Sequence, residues 1–556
     1  MGLSIGESYD SFRKLRENGS YYIDKTFMLK EYLADRFKSS VLFARPRRFG
    51  KTLTMTMFRD FLDIRQKSAD IFEGLEIMEH PDVVEKYMNQ YPVVFLSLKE
   101  IFGQDFEKVY ENMQFAVSEL CKTFDELRTS SAIGAEDKKI LAALREQSAN
   151  ETNTVASLGL LSRMLCMHYH KPVFVIIDEY DVPMAKALGT DHYDRTREMV
   201  EHMLSYVCKT NDNVKAVMLS GCLYTVKNST YTGVNNIVSY SVLSPIYASS
   251  IGFTDEDVKT LLRDAGLSDR YDTVAEWYDG YLFGREKMYC PWDVLSYVQS
   301  VLDGSYSEVM GPKSYWMNTS ETSLNLIHGF LGKTAGANEG FEHLLAGGTI
   351  DCTVNEYVPY HKIHESGENL WSVLVETGYL TKTVTEEMPL MPLRIPNRSI
   401  QTVFRQEVWN YFKDKIENTC VSDFANALWG GETGSAEASL AQILEATLSF
   451  YHEYREYSYH LILAGFFTGL GYPVQSERET GYGRSDLVIP DPARNRCLVL
   501  ELKHVKKESE MEDALREAAS QIIDKKYESR LKYEGYTQRL RYGMAFCDKR
   551  VRITEV

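Results

Sequence analysis

What this sequence of 556 residues lacks narrows it first. No apolar run approaches the roughly 18 residues that a membrane-spanning helix needs. The longest runs, such as Val173–Ile177, are strand-sized. The nine cysteines lie scattered from Cys121 to Cys547 with no CxxC among them, which excludes a disulfide framework and a zinc knuckle. A dispersed, odd set points to reduced thiols inside the cell. The opening stretch, MGLSIGESYDSF, has no basic segment followed by an apolar one, so no secretory signal is expected. There is no low-complexity tract and no repeat at solenoid spacing, which removes collagen-like, disordered and repeat architectures. Positive charge is in short supply: 62 Lys+Arg against 79 Asp+Glu leaves a net −17 and excludes a chain coated in basic patches. Together these features predict a soluble, cytoplasmic protein with no membrane partner.

What is present reads as several domains, at roughly 150 residues each. Over the first 250 residues, strands expected at 40–44, 92–98, 172–177 and 214–219 alternate with helical patterns at 52–62, 105–128, 152–168 and 193–209. That alternation predicts an α/β fold: a mostly parallel sheet with helices on both faces. Thr254 is expected to cap a helix, and the pattern from about 300 to 435 is mixed. Gly430-Gly431-Glu-Thr-Gly434 is the best linker candidate. The expected division is therefore 1–250, a helical and mixed middle over 251–435, and a smaller α/β domain over 436–556. Charge follows these parts. Residues 1–60 hold 12 basic and 7 acidic side chains, and 441–556 hold 18 of each, so the two least acidic regions are those with candidate chemistry.

In the first of these regions, strand 40–44 runs into Arg45-Pro46-Arg47-Arg48-Phe49-Gly50-Lys51-Thr52, and a helix follows. This is a Walker A pattern with Arg45 in place of the first glycine. Gly50 lets the backbone approach phosphates, and amides at the helix start cradle them. Lys51 would reach the β- and γ-phosphates of ATP, and the Thr52 hydroxyl would ligate Mg²⁺. The stretch Arg45 to Thr52, with Asp178, forms the candidate nucleotide site. Asp178 and Glu179 end an apolar strand in Walker B fashion, Asp178 to hold Mg²⁺ and Glu179 to activate the attacking water. The plainer alternative is an ordinary helix start and an acidic loop. Ser220, at a third strand end, is either a γ-phosphate sensor or a turn residue, and Asp24 or Thr26 reads as a helix cap.

In the second region, Asp486 opens a short strand, and Glu501 and Lys503 share one face of the next. If these strands form a hairpin, Asp486 comes near Glu501. Two carboxylates for Mg²⁺ and a lysine for the attacking water are a set for phosphodiester hydrolysis. Hard oxygen ligands favour Mg²⁺ or Mn²⁺ over zinc. Glu456 upstream and Gln521 downstream, four residues before Lys525 on one helix face, are candidate helpers. A solvated edge strand is the plainer alternative.

The residues Tyr22-Ile-Asp24-Lys25-Thr26, Arg45 to Lys51, Ile177 to Asp181, Trp277-Tyr-Asp279-Gly-Tyr281, Glu456-Tyr-Ser-Tyr459-His460, Gly483-Arg484-Ser-Asp486 and Glu501-Leu-Lys503 together carry a resemblance. The chain resembles bacterial AAA-ATPase-like proteins with a C-terminal PD-(D/E)XK nuclease domain, over nearly its whole length. In that family an arginine at the Arg45 position is usual. Cys290-Pro291-Trp292 stands where the family has Asn-Pro-Trp. The resemblance implies a P-loop ATPase fused to a Mg²⁺-dependent nuclease acting on DNA or RNA. The alternative is a nucleotide-switched scaffold whose nuclease fold binds but does not cut. Assembly into a homo-oligomer is left open by the sequence.

Overall fold

The computed structural model describes the chain apart from residues 1–4, 6–8, 210, 226–233, 309–310, 317–339, 342, 346, 384–389, 414–417, 448–455, 481–482 and 525–535. The chain divides into two compact units, residues 1–305 with 351–397, and residues 306–350 with 398–556. The middle region expected over 251–435 is thus shared out between them. Residues 251–305 and 351–397 pack with the first unit, and the remainder with the second.

The first unit is built on five strands, β1 (Ser40–Ala44), β2 (Val93–Ser97), β3 (Val173–Asp178), β4 (Val214–Gly221) and β5 (Val238–Tyr240), in the order β2-β3-β4-β1-β5. Every pairing is parallel, as the alternation of strands and helices predicts. All five residues of β1 and all six of β3 are buried. Helices on both faces leave no polar side to such strands, hence their unbroken apolar runs. The register sets Phe43 beside Ser220 and Ile177 beside Leu219, so β1, β3 and β4 end together. The crevice outside the carboxyl ends of parallel strands is where such sheets bind ligands. Helix α1 (Lys51–Leu62) starts from that edge. The helix Asp255–Asp264 opens with a full capping box, the Thr254 and Asp257 side chains each bonding the other's backbone amide. The segment 351–397 adds the short helix Tyr360–Glu365 and the helix Gly367–Glu376 to this unit.

The second unit carries helices α2 (Asn418–Gly430), α3 (Thr433–Thr447), α4 (Glu456–Gly469) and α5 (Met511–Asp524). Its sheet is β6 (Gln475–Thr480), β7 (Gly483–Asp491), β8 (Arg496–His504), β9 (Gln538–Cys547) and β10 (Arg550–Glu555), ordered as in sequence. Only β8 and β9 run parallel, and the stretch between them contains α5, as a parallel crossover requires. One face of this sheet and three helices share a core: Phe424, Leu428 and Trp429 of α2, Leu440 and Leu444 of α3, Phe466 and Phe467 of α4, and Leu498, Leu500 and Leu502 of β8. Each such side chain contributes about 1.5–3 kcal/mol by burial. The expected linker is therefore a turn within this core. Gly431, at φ 77°, reverses the chain between α2 and α3, and the Tyr542 hydroxyl on β9 donates to the Leu428 carbonyl at 2.6 Å.

Candidate functional site

The loop joining β1 to α1 is anchored by side chains that the sequence assigns to phosphate. Arg45 is fully buried, and its guanidinium donates to the carbonyls of Ala44 (2.8 Å), Tyr240 (2.8 Å) and Tyr247 (2.7 Å). Its backbone amide donates to the Gly221 carbonyl at 3.1 Å. Burial pulls the Arg45 pKa down to about 10, with the Glu376 carboxylate opposing. These groups are spent on the fold, so Arg45 is a clamp between strand ends and not part of a phosphate cradle. Phe49 is likewise buried, with ring centroids 5.1 Å from Tyr281 and 5.0 Å from Phe283. Arg48 is exposed and left-handed (φ 68°), its guanidinium 4.3 Å over the Trp292 ring, and its carbonyl faces the Cys290 thiol. Pro46 lies so close to Gly378 that a Cβ there would meet it at 2.8 Å.

Past these anchors the chain turns into the helix at Gly50, whose φ of 98° favours glycine although a Cβ would meet nothing. Lys51 follows, buried, its Nζ 3.2 Å from the Pro46 carbonyl and 3.7 Å from Glu179 Oε1. Burial opposes its charge, but the Cys222 thiol and the carboxylates of Glu179, Asp181 and Asp178 outweigh it and hold Lys51 protonated. The Thr52 hydroxyl donates to Asp178 Oδ2 at 2.8 Å, and the Ser220 hydroxyl donates to Asp178 Oδ1. Burial, then Glu179, raises the Asp178 pKa, with both hydroxyls and Lys51 working the other way. Glu179 is left-handed at φ 53°, a backbone cost that recurs at functional sites. A hydroxyl, a carboxylate and a lysine at one strand edge form a set that fits a triphosphate and its divalent ion.

Sequence reasoning counted Arg47 in the nucleotide loop and read Asp24 as a helix cap, gave Lys25 no role of its own, and passed over Tyr360. Arg47 is the loop arginine that faces Cys222, Tyr360, Glu179 and Asp181, and it is held protonated against the cost of burial. Tyr360, from the segment 351–397, donates to Asp181 Oδ2 at 3.1 Å. Lys25 bonds Asp257 at 2.5 Å and the Ser249 carbonyl at 3.0 Å. Asp24, read as a helix cap, accepts from the Thr26 amide (2.8 Å) and the Glu76 amide (2.7 Å), so it ties that turn to residue 76. Beside Gly50 opens a cleft of about 100 Å³, whose lining includes Tyr22, Lys25, Ile251, Phe253 and Leu295.

In the second unit β7 and β8 pair antiparallel with Leu487 opposite Leu500. Asp486 immediately precedes Leu487, and Glu501 immediately follows Leu500, so the register sets their backbones side by side. The side chains of Asp486 on β7 and of Glu456 at the start of α4 lie outside the described residues, as does Lys525. Glu501 is buried at 2% exposure. Lys503 Nζ is 3.7 Å from Glu517 Oε1, and Gln521 donates to the same oxygen at 3.2 Å. Glu517 of α5, which the sequence did not single out, therefore joins the two. Tyr459 of α4 stacks on Phe546 at 4.3 Å and on His504 at 5.8 Å, and burial lowers the His504 pKa. Among the described residues no three His, Cys, Asp or Glu side chains gather as a metal site, and no helix is long and apolar enough to cross a membrane.

Two family models match parts of this chain. Residues 7–231 match the AAA-ATPase-like family model, described as a predicted AAA-ATPase, and residues 454–556 match that of the PD-(D/E)XK nuclease superfamily. An "Uncharacterized protein in vnfD 5'region" of Azotobacter chroococcum mcd 1 is 24% identical over 495 residues, which cover 86% of this chain and 85% of that protein. The chain thus joins an AAA-ATPase-like domain at 7–231 to a domain of the PD-(D/E)XK nuclease superfamily at 454–556.

Proposed function

We propose that the first unit binds and hydrolyses ATP with Mg²⁺, and that the second is a metal-dependent nuclease under nucleotide control. The carrying observation is the convergence at one strand edge of Lys51, Thr52, Asp178 and Glu179, with the 2.8 Å bond from Thr52 to Asp178. Lys51 meets the β- and γ-phosphates, Gly50 and the amides of α1 cradle them, and Glu179 orients the attacking water. Thr52 and Asp178 would hold Mg²⁺, which would neutralise phosphate charge there. The cleft beside Gly50 suits the nucleobase, with apolar walls and the buried Ser250 hydroxyl, which has no partner among the described residues.

In the second unit Asp486 and Glu501 hold Mg²⁺ or Mn²⁺, and Lys503 orients the water that attacks a phosphodiester of DNA or RNA. Glu456 and Gln521 assist from α4 and α5. The β7–β8 register and the burial of Glu501 support this reading. The deciding experiment has two arms on the full chain. Calorimetry with ATP and Mg²⁺ reads nucleotide binding, and a panel of DNA and RNA substrates with added Mg²⁺ or Mn²⁺ reads cleavage. Absence of nucleotide affinity sinks the first half of the proposal. Metal-independent silence on every substrate sinks the second and leaves a binding scaffold.

A further inference from the structure

Asp181 is the buried carboxylate near Lys51 that the hydrolysis scheme leaves without a task. It is 2% exposed. Its Oδ2 accepts three hydrogen bonds, from the amides of Cys222 (2.9 Å) and Leu223 (3.1 Å) and from the Tyr360 hydroxyl (3.1 Å). Its Oδ1 accepts none among the described residues. That oxygen lies close against Gly221, where a Cβ would come within 2.6 Å of it. The Asp181 charge acts on both Lys51 and Arg47, so the group belongs to the nucleotide centre. A buried oxygen with one partner set satisfied and the other bare calls for a donor. A water poised for hydrolysis has two O–H groups, and Glu179 engages only one.

We propose that Asp181 Oδ1 accepts the second O–H of the attacking water, and that Tyr360 is a positioning residue that keeps this carboxylate aimed. The inference rests on the ATP-hydrolysis reading above. In the step, the water oxygen bonds the γ-phosphorus while the bond from that phosphorus to the β,γ-bridging oxygen breaks. ADP leaves with the electron pair, one proton stays on the phosphate product, and the other passes through the carboxylates to solvent.

The test measures, on the full chain with Mg²⁺, phosphate release, Kd for a non-hydrolysable ATP analogue, and the melting temperature. Asp181→Asn is expected to lower kcat by about 10²-fold with Kd within twofold of wild type. Tyr360→Phe removes only the hydroxyl, and it should lower kcat about tenfold with Kd and melting temperature unchanged. An Asp181→Asn protein with wild-type kcat overturns the proposal. So does a parallel loss of kcat, affinity and melting temperature in Tyr360→Phe, which marks a merely structural acid. A wild-type chain without nucleotide affinity overturns the ATPase reading and this inference together, whereas active wild type beside an equally active Asp181→Asn overturns this inference alone.

Discussion

At the scale of single residues, Arg45 and Lys51 are six apart and do opposite work. Arg45 bonds three backbone carbonyls through its two terminal nitrogens, and no shorter cation reaches all three. Arg45→Met should lower the unfolding free energy by about 3 kcal/mol in urea titration, since carbonyls are left buried without donors. Lys51→Ala should leave stability nearly intact but abolish ATP binding by calorimetry, while Glu179→Gln should bind ATP and hydrolyse it slowly. Glu376 offers a pH test. Burial, then the neighbouring Glu356 carboxylate, pushes its pKa from the ordinary 4.5 up to about 8. The folded state therefore holds a proton that the unfolded chain releases, and its contribution is full below about 4.5 and lost as pH rises through about 8. Thermal melts from pH 5 to 8 should show that decline in wild type and a flatter profile in Glu376→Gln. The sequence displayed Gly50, Lys51, Thr52, Asp178 and Glu179 because their spacing repeats a known phosphate-binding logic. It hid the role of Arg45, whose partners Tyr240 and Tyr247 lie some two hundred residues away. It also hid Tyr360, which no local pattern links to Asp181.

Elements were easier to read where periodicity was strong. The four strands expected in the first 250 residues are all present within two residues of the expected ends, and so is the Thr254 cap. The linker misled, because glycines that break one helix and start another resemble glycines that separate domains. The difference is burial: Phe424 and Leu428 before the turn and Leu440 after it enter one core. A fragment starting at Ser435 should therefore fail to fold, showing no cooperative melt by circular dichroism, because it discards α2. Phe424→Ala in the full chain should cost about 3–5 kcal/mol by the same logic. Limited proteolysis should find the 430–434 turn resistant. A stable, soluble 435–556 fragment would show that α2 is dispensable to that core.

For the whole molecule, the proposed reaction predicts that chelation stops both chemistries by different routes. Excess EDTA should end nucleic-acid cleavage and ATP hydrolysis alike, and added Mg²⁺ should restore both. Lys503→Ala should retain metal binding, lose most cleavage and leave ATPase turnover untouched, whereas Glu501→Gln should lose metal and cleavage together. Cleavage that persists in Lys503→Ala at the wild-type rate would place the water-orienting group elsewhere. The way the chain is threaded has a consequence for its birth on the ribosome. Because the first unit takes in residues 351–397 after the chain has already begun the second, it crosses from one to the other at 305, at 350 and again at 397. Tyr360 and Glu376 are thus made long after the strands they complete. The carboxylate of Asp181 must wait for its Tyr360 partner until that later stretch emerges. A gene truncated before that point would yield a sheet without its finished site, and neither unit could be exchanged between relatives as one uninterrupted block.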